Sequence, residues 1–510
     1  MVNKVYSNRL SEYAHENGGR VFLLFLLFCL AIYQFLTAGI TTFAIICSIP
    51  IIVIIIYLTF KYRMLTFWCL IFINYFVQMK GFPIPGPKSL LNEILQLLLL
   101  GIAIIDTNYT PYFKRCLNLM LLSLTIWCIY CTLEILNDTC GLGINIGAWY
   151  QGARLMAFQI LYIFLVFSIY ISSPEILMKY LKLWAILSLF SAIWTWKQQH
   201  IGLTAAEEAF LYGPGQTTHI IQGGTLIRYF STFCDAANYG CNAAAASVAF
   251  IIFGITTKIK KERGLFLTVA IFVIYNMFAS GTRTAIFCIF AGFAVYIVLS
   301  KSVKIAIPAM ILGGLLFFIL AFTTIGQGNQ QIRRMRSAFD KEDASGNVRD
   351  INQATMKKYM KDAPWGIGLG MTGVQVPANN KFNRIATIPA DSEYIYIWLR
   401  TGSIGITVFV ITMLIMLGGA CYIVFFKLKS SSLIGIGGGL CCAFVSIQLG
   451  GYANQVLMQF PNCLTFYGGL AIVYILPYIE PAWVELEEKR YAEQEEKKRL
   501  KLKKKLAKRV

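Results

Sequence analysis

Charged residues are scarce in this sequence, at 14% of the chain, whereas hydrophobic residues make up 57%. This composition excludes a water-soluble protein, because apolar runs of about 17–25 residues recur and each is long enough to cross a hydrocarbon core of about 30 Å. The sequence also lacks the alternating segments of about ten residues that transmembrane strands require. Since backbone groups in lipid must be satisfied within the spanning structure, we expect an all-α polytopic membrane protein.

Metal-ligand motifs and a disulfide framework are also absent from the sequence. The chain has 3 histidines, and most of its 14 cysteines lie inside apolar runs, where cysteine behaves as a small hydrophobic residue. No CxxC pair stands near a histidine at a metal-like spacing. We therefore expect neither a metal ion nor another cofactor. Cys140, Cys234 and Cys463 fall near one predicted face, and the sequence leaves open whether they pair.

The apolar runs predict about fourteen transmembrane spans. In chain order they cover residues 21–38, 40–60, 64–79, 89–106, 116–136, 155–172, 181–197, 239–257, 264–280, 284–300, 304–324, 401–426, 433–450 and 463–479. No internal repeat of about 20–50 residues is visible.

The basic residues predict the orientation of these spans. Lysine and arginine in the short connections occur at every second boundary, which predicts that both termini are cytoplasmic. The opposite face is then the periplasmic face of a bacterial inner membrane. Although the formal net charge is +20, we assign the basic tail beyond Trp483 to orientation and to anionic lipid head groups, not to nucleic acid.

This pattern divides the chain into six segments. They are a cytoplasmic N-terminus (1–20), an N-terminal transmembrane bundle with outer loops (21–238), core transmembrane helices (239–324), a long periplasmic loop between the eleventh and twelfth spans (325–393), C-terminal transmembrane helices (394–480) and a basic cytoplasmic tail (481–510). Long loops are usually functional or disordered. The mixed charges and glycine-rich turn of residues 325–393 indicate a folded working surface.

Two arginines stand where predicted outer segments meet spans. Arg228 precedes Asp235, which is suited to cap the next helix, but capping does not account for Arg228 itself. Arg283 lies in Ser280-Gly-Thr-Arg283, a connection so short that it holds this side chain at the outer end of two packed helices. A guanidinium in that position either extends to lipid phosphate or binds a substrate phosphate.

The long loop contains a third cluster. Arg349 precedes an amphipathic run in which Met356, Tyr359 and Met360 share one side, which predicts a helix lying on the membrane surface. The glycines at 366–370 follow a helix, not a strand, so they indicate a close backbone approach or a plain turn, not a dinucleotide site.

Two carboxylates, Asp391 and Glu393, open the twelfth span and are followed by Tyr394. Because a helix N-terminus favours negative charge, capping is enough to explain one of them. Two carboxylates facing several arginines also indicate a general base poised by cationic neighbours. His219 is a competing base, although a single loop histidine is more often structural or solvated.

At these clusters the sequence resembles the O-antigen ligase and polymerase superfamily of bacterial membrane glycosyltransferases, over residues 225–425. The motifs that carry the resemblance are Arg228 with Phe233-Cys-Asp-Ala-Ala-Asn238, Ser280-Gly-Thr-Arg283-Thr-Ala285, Arg349 with Pro364-Trp-Gly-Ile-Gly-Leu-Gly370, and Asp391-Ser-Glu-Tyr394 with Gly402-Ser-Ile-Gly405. Their order along the chain, together with the long loop and the number of spans, makes the set more specific than any single motif.

The resemblance implies a metal-independent enzyme that transfers glycan from a polyprenyl-pyrophosphate carrier. Two essential arginines of the family correspond to Arg228 and Arg283, which would act in catalysis and bind the pyrophosphate. Ligases of the family place a histidine where this sequence has Asp391, and this departure favours a polymerase. The implied catalytic carboxylates are Asp391 and Glu393, and the other implied substrate-binding residues are Arg349, Asn238 and Tyr394.

The leading hypothesis is a periplasmic glycan polymerase of surface-polysaccharide or O-antigen biosynthesis. The first alternative is a ligase that attaches finished glycan to lipid A core or another acceptor from the same donor site. The alternative of another class is a flippase or transporter for lipid-linked oligosaccharides, against which the lack of repeats and of charged pairs near mid-membrane argues. The expected partners are the lipid-linked donor, a glycan or lipid A core acceptor and membrane lipids, and further polysaccharide-assembly proteins are left open.

Overall fold

The computed structural model describes residues 17–82, 88–213, 219–221, 226–301, 307, 311, 314–315, 317–319, 322–339 and 344–507. Nearly all regular structure in these residues is helical. One short antiparallel pairing joins β1 (Ile220–Ile221) to β2 (Leu226–Ile227), with Ile220 opposite Ile227. The expected all-α class is confirmed.

The helices of the described residues are numbered in chain order. They are α1 (Gly18–Lys61), α2 (Arg63–Phe76), α3 (Lys88–Ile105), α4 (Thr110–Cys116), α5 (Leu119–Leu133), α6 (Ile146–Ala153), α7 (Gln159–Tyr170), α8 (Pro174–His200), α9 (Ala205–Leu211), α10 (Ala236–Thr256), α11 (Lys260–Ala279), α12 (Thr284–Leu299), α13 (Gln330–Arg336), α14 (Ala344–Met360), α15 (Asn383–Thr387), α16 (Glu393–Tyr422), α17 (Ser431–Ala453) and α18 (Gly468–Ala507). Short π-helical segments, Arg154–Phe158, Ile423–Lys427 and Cys463–Tyr467, adjoin α7, α16 and α18.

Within the described residues, 9 helical segments are long and apolar enough to cross a membrane, so the chain is a multi-pass membrane protein. They are Lys88–Ile105, Leu119–Leu136, Ile146–Tyr170, Pro174–His200, Ala236–Thr256, Lys260–Ala279, Glu393–Lys427, Ser431–Ala453 and Cys463–Glu493. Shorter apolar helices are Gly18–Leu30, Arg63–Phe76 and Thr284–Leu299. This count is lower than the fourteen expected, and most of the predicted span 304–324 lies outside the described residues.

One predicted division between spans is wrong. The separate spans 21–38 and 40–60 form one continuous helix, α1, of 44 residues. No proline or polar turn interrupts Ala38-Gly-Ile40, and a single glycine inside a helix costs only about 1 kcal/mol, so the helix continues. Helix α16 begins at Glu393, where Ser392 caps it by accepting a hydrogen bond from the N–H of Ile395, and its backbone is interrupted at Gly402, next to the predicted start of span 401–426.

Arg154, which precedes the predicted span 155–172, lies in the helical segment that joins α6 to α7. It is buried, and its Nη1 atom lies 2.9 Å from Oε2 of Glu93 on α3, which is also buried. Its Nη2 atom donates to Oγ of Ser89 at 3.0 Å. The Arg154 guanidinium and the Glu93 carboxylate are distant in the chain but neutralise each other in the structure, and burial of a charge requires such a partner.

Residues 67–510 form one compact unit, distinct from the unit that contains α1, and everything that follows concerns this larger unit. At one end of its helices, Glu262 pairs with Lys182 at 2.8 Å and with Arg490 at 3.4 Å. Lys258 and Glu487, which are close in sequence to Glu262 and Arg490, pair with each other at 3.3 Å. All of these residues belong to segments that the pattern of basic residues assigns to the same side of the membrane, the cytoplasmic side. Their pairing at one end of the helices is consistent with that pattern.

The described part of the long segment 325–393 has its own apolar core. The cluster consists of Cys140, Met356, Met360, Ala363, Ile367, Met371, Val376, Phe382, Ile385, Ala386 and Leu399. The apolar side of α14 therefore packs on protein, and the predicted surface helix on the membrane is wrong. An amphipathic pattern shows that one side is apolar, but it does not identify the apolar surface that covers that side.

This core is fixed to α16 by direct contacts between backbones. Ile367 N–H donates to the carbonyl of Leu399 at 3.0 Å, and Gly368 N–H donates to the carbonyl of Arg400 at 3.1 Å. These carbonyls are free to accept because Gly402 has φ 70° and ψ −171° and interrupts the helix. A Cβ atom on Gly402 would lie 1.9 Å from the carbonyl oxygen of Pro364. The predicted close backbone approach of the glycine-rich turn is thus confirmed.

We predict that Gly402→Ala destabilises the protein. A side chain at this backbone conformation costs about 1–3 kcal/mol before any clash is counted. The measurement is the melting temperature of detergent-purified protein, read as the monodisperse fraction after heating. The matched control is Gly418→Ala in the same helix, where a Cβ atom would meet nothing within 4 Å. Equal melting temperatures for the two variants would contradict the docking of residues 363–368 on α16.

Candidate functional site

Arg228 follows β2 and lies against the connection between α11 and α12. Its backbone N–H donates to the carbonyl of His219 at 2.8 Å, which extends the short strand pairing by one residue. Its Nε atom donates to the carbonyl of Ser280 at 3.3 Å, and its Nη2 atom donates to Oγ1 of Thr282 at 3.2 Å. Arg228 is therefore held by the same four-residue connection that contains Arg283.

Small residues make this connection possible. Gly281 has φ 58°, and a Cβ atom there would lie 3.1 Å from Cγ of Arg228. The Oγ1 atom of Thr282 donates to the carbonyl of Ala236 at 2.8 Å, at the first turn of α10. A Cβ atom on Gly240 would lie 2.3 Å from Oγ of Ser280, so α10 packs tightly on the connection.

Arg283 extends from this connection toward the long segment 325–393. Its Nη1 atom donates to the carbonyl of Ser337 at 3.2 Å and approaches the Ser337 hydroxyl at 3.4 Å. Burial lowers the pKa of Arg228, and the positive charges of Arg283 and Arg349 act in the same direction, whereas Asp235 opposes them. The charges of two guanidinium groups from distant parts of the chain thus act on Arg228. We call Arg228, Arg283 and Arg349 the arginine cluster.

The two carboxylates at the start of α16 have different surroundings. Glu393 is buried, and its Oε2 atom accepts the backbone N–H of Leu457 at 2.9 Å, so it fixes the segment that follows α17. Asp391 is half-buried and makes no hydrogen bond or ion pair within the described residues. The helix cap is Ser392, whose hydroxyl also donates to the carbonyl of Gly451 at 3.1 Å. Capping therefore does not explain either carboxylate, and of the two Asp391 is the one without a hydrogen-bond partner in the described part of the chain.

Residues Asn454 and Gln455 connect Asp391 to the arginine cluster. The Nδ2 atom of Asn454 donates to Oγ1 of Thr284, the neighbour of Arg283, at 3.3 Å. The Nε2 atom of Gln455 donates to the carbonyl of Ala390, the neighbour of Asp391. The sequence analysis gave these two amides no role. Their occurrence together in a short polar segment after an apolar helix is the signal that would have identified them.

His219 has a structural environment. Its Nε2 atom lies 3.2 Å from the N–H of Ala236 and accepts that hydrogen bond, so the lone pair that a general base needs is engaged. The ring packs edge-on against Phe210 and Phe230, with centroid distances of 5.2 and 5.8 Å. His219 thus serves the start of α10, whose predicted cap, Asp235, accepts the N–H of Asn238 at 2.7 Å.

Asn238 and Tyr394 are both engaged within the protein. Asn238 is fully buried, and its Oδ1 atom accepts from Nδ2 of Asn462 at 2.6 Å. Asn462 in turn accepts from Asn242 at 2.7 Å. The hydroxyl of Tyr394 donates to Oε1 of Gln448 at 2.9 Å. These contacts hold α10, α16 and α17 near the arginine cluster, and the assigned contacts of Asn238 and Tyr394 with substrate stay predictions.

Two cavities flank the candidate site. One, of about 580 Å³, is lined by residues on either side of Arg228, Ile227 and Tyr229, and by Tyr275 on α11. The other, of about 360 Å³, is lined in part by Glu393 and Gln455. Both volumes fall near or within the range of about 300–1,000 Å³ that is usual for ligand pockets.

The remaining candidates for metal or disulfide chemistry are accounted for within the described residues. No group of three or more His, Cys, Asp or Glu side chains there is placed to hold a metal ion. Cys140, Cys234 and Cys463 are all free. The open question about pairing among these three cysteines is thereby answered: they are unpaired in this structure.

Comparison with protein families finds a match over part of the chain. The family model described as O-Antigen ligase matches residues 267–410, which include Arg283, Arg349 and Asp391. A comparison with curated proteins finds no match.

We predict that the arginine cluster binds inorganic pyrophosphate. Guanidinium groups match phosphate oxygens with paired hydrogen bonds, and clustered positive charge favours an anion between them. Pyrophosphate at about 100 times its dissociation constant would stabilise the folded protein by about 2.7 kcal/mol, measurable as a rise in melting temperature. Arg228→Gln and Arg283→Gln should each abolish the rise.

The matched control for this experiment is Arg384→Gln. Arg384 lies in α15 and is exposed. This variant should keep the full pyrophosphate-induced rise. A rise of equal size in all three variants would show that pyrophosphate binds elsewhere.

Proposed function

Because residues 267–410 match the family model described as O-Antigen ligase, we propose that this chain is a glycan polymerase that uses a polyprenyl-pyrophosphate-linked donor. The observation that carries the proposal is a pair of hydrogen bonds from adjacent residues: Asn454 contacts Thr284 beside Arg283, and Gln455 contacts Ala390 beside Asp391. Positive charge for a diphosphate and an available carboxylate are the two elements that transfer of a glycosyl group to a hydroxyl requires.

In the proposed reaction the arginine cluster binds the diphosphate of the carrier. Arg228 and Arg283 are fixed before substrate arrives, so they stabilise the charge that develops on the leaving diphosphate without reorganisation. Asp391 removes the proton from an acceptor hydroxyl while its oxygen attacks the anomeric carbon of the donor sugar. The bond from that carbon to the diphosphate breaks, and attack from the opposite side inverts the centre. The arginines supply the positive charge, so the proposal needs no metal ion.

The assignment of the base to Asp391 is supported by elimination within the described residues. Glu393 is occupied by the backbone of Leu457, and His219 is occupied by the backbone of Ala236. Asp391 is half-buried and unpartnered, so an acceptor hydroxyl can reach its carboxylate.

The second candidate function is a ligase that attaches finished glycan to lipid A core or another acceptor. It is favoured by the description of the matching family. The same arginine cluster would bind the donor in both reactions, so the acceptor distinguishes them. Asp391 stands where ligases of the superfamily have a histidine, and this difference supports the polymerase.

We further propose that the site faces the periplasm of a bacterial inner membrane. The alternation of lysine and arginine among the short connections would place residues 325–393 outside. The grouping of Lys182, Glu262 and Arg490 at one end of the helices supports this arrangement. Arg228 and Arg283 belong to the other set of connecting segments.

We predict that Arg283→Ala in the producing cells abolishes long glycan chains. Loss of one cationic donor to the leaving diphosphate costs about 10²–10³-fold in rate. Single repeat units should then accumulate on the polyprenyl carrier, as measured by electrophoresis and mass spectrometry of the lipid-linked fraction. Arg384→Ala, at equal expression, is the control and should leave chain length unchanged. Polymerised glycan on the carrier would identify the protein as a ligase, and unaltered long chains would refute both functions.

We predict that Asp391→Asn lowers kcat of the purified enzyme by about 10²–10⁴-fold, the usual contribution of general base catalysis. The pyrophosphate-induced rise in melting temperature should persist in this variant, because the arginine cluster is intact. Glu393→Gln retains an oxygen that can accept the Leu457 N–H and should keep most of the activity. The reverse result, with Glu393→Gln inactive and Asp391→Asn active, would identify Glu393 as the base.

A further inference from the structure

The cavity of about 360 Å³ lies where the start of α3, the end of α6, the start of α16 and the segment after α17 meet. Gln455 lines this cavity, and its side-chain amide donates to the carbonyl of Ala390, which precedes Asp391. The preceding residue, Asn454, contacts Thr284 beside the arginine cluster. One dipeptide therefore links the cavity, the carboxylate proposed as the base and the cationic site.

The chemistry of the cavity differs from that of the arginine cluster. Gln78 and Gln459 line it with half-buried side-chain amides that make no hydrogen bond within the described residues. The ring of Tyr396 forms another part of the wall. Its lining charges are one ammonium, Lys88, and one carboxylate, Glu393, so the cavity has no excess of positive charge.

These groups favour a neutral, hydroxyl-rich ligand over an anion. A side-chain amide donates and accepts at once, as does a sugar hydroxyl, and an aromatic ring offers an apolar face to a sugar ring. The ammonium of Lys88 already donates to the carbonyl of Met79 at 3.2 Å. A second diphosphate would find only one cation here, in contrast to the three guanidinium groups of the arginine cluster.

The walls of the cavity are held in place by contacts that do not involve a ligand. The buried pair of Arg154 and Glu93 fixes α3 against the segment after α6, and Arg154 also contacts Ser89 in the wall. The guanidinium of Arg400 lies 5.2 Å from the centroid of the Tyr396 ring. A site held in this way loses little conformational freedom on binding, which favours affinity.

We propose that this cavity binds the acceptor glycan and presents its attacking hydroxyl to Asp391. The proposal rests on the function proposed above and adds a second, sugar-binding subsite with Gln78 and Gln459 as its polar contacts. It assigns the acceptor here because Gln455 joins the cavity wall to the residue before Asp391. The donor diphosphate occupies the arginine cluster.

The test separates the acceptor from the donor by chemistry. The acceptor probe is the repeat-unit oligosaccharide of the producing cells, released from its carrier and capped at the reducing end as a methyl glycoside. This probe has no diphosphate and serves only as an acceptor. The donor is the intact polyprenyl-pyrophosphate oligosaccharide. Initial rates are measured with each substrate varied while the other is saturating.

Gln459→Leu and Gln78→Leu remove hydrogen-bonding atoms at nearly constant volume. Each should raise KM for the capped acceptor by about three- to tenfold, the effect of one lost hydrogen bond. The KM for the donor and the kcat at saturation should change by less than about twofold. Gln151→Leu is the matched control, since Gln151 is exposed and adjoins the cavity-lining Gly152. It should leave every constant unchanged.

An unchanged acceptor KM in both Gln459→Leu and Gln78→Leu would overturn the proposal, as would an equal rise in the donor KM. A retained pyrophosphate-induced rise in melting temperature shows that each variant is folded with an intact arginine cluster. If the wild-type protein does not turn over, the proposed function fails, and calorimetric titration with the capped oligosaccharide then decides on the cavity alone. Binding of the capped oligosaccharide that weakens in Gln459→Leu but not in Gln151→Leu supports the cavity as a sugar-binding subsite. Absence of binding to the wild type overturns that assignment.

Discussion

The site depends on one electrostatic constraint, which is that like charges are held close together where water has limited access. Burial and the neighbouring guanidinium groups both disfavour the charged form of Arg228, and Asp235 offsets only part of that cost. Hydrogen bonds to Ser280 and Thr282 fix its geometry. An anionic ligand beside these guanidinium groups would favour their charged form. A site of this kind gains most from a ligand with several negative charges, such as a diphosphate.

The features of the site that sequence predicted are those set by short-range chemistry. The connection from Ser280 to Arg283 is too short to place Arg283 anywhere but at the helix ends, and Asp235 caps α10 because its oxygen reaches the N–H three residues later. Sequence could not choose between Asp391 and Glu393, because that choice depends on Leu457, which is distant in the chain. The contacts of Asn454 and Gln455 are equally non-local, so the sequence shows two amides after an apolar helix but not the partners that they bind.

The fold shows the same division between local and distant information. Hydropathy located most apolar helices, since each must be apolar along its whole length to lie in lipid. Hydropathy divided α1 into two spans, whereas the helix is continuous, because a glycine weakens a helix without ending it. It also assigned the apolar side of α14 to the membrane, although Met356 and Met360 are covered by the core of the long segment 325–393. Hydropathy identifies an apolar surface but does not show whether lipid or protein covers that surface.

The hydrogen bond from Gln455 to the carbonyl of Ala390 has a consequence for the order of events during turnover. Because the same dipeptide also contacts Thr284, a displacement of this dipeptide on one side is transmitted to the other. Any free energy by which occupancy of one subsite alters affinity at the other must be equal in both directions. We expect synergy between the two substrates, with a ternary complex preferred over either binary one. Such reciprocity would protect the activated sugar from hydrolysis while its partner is absent.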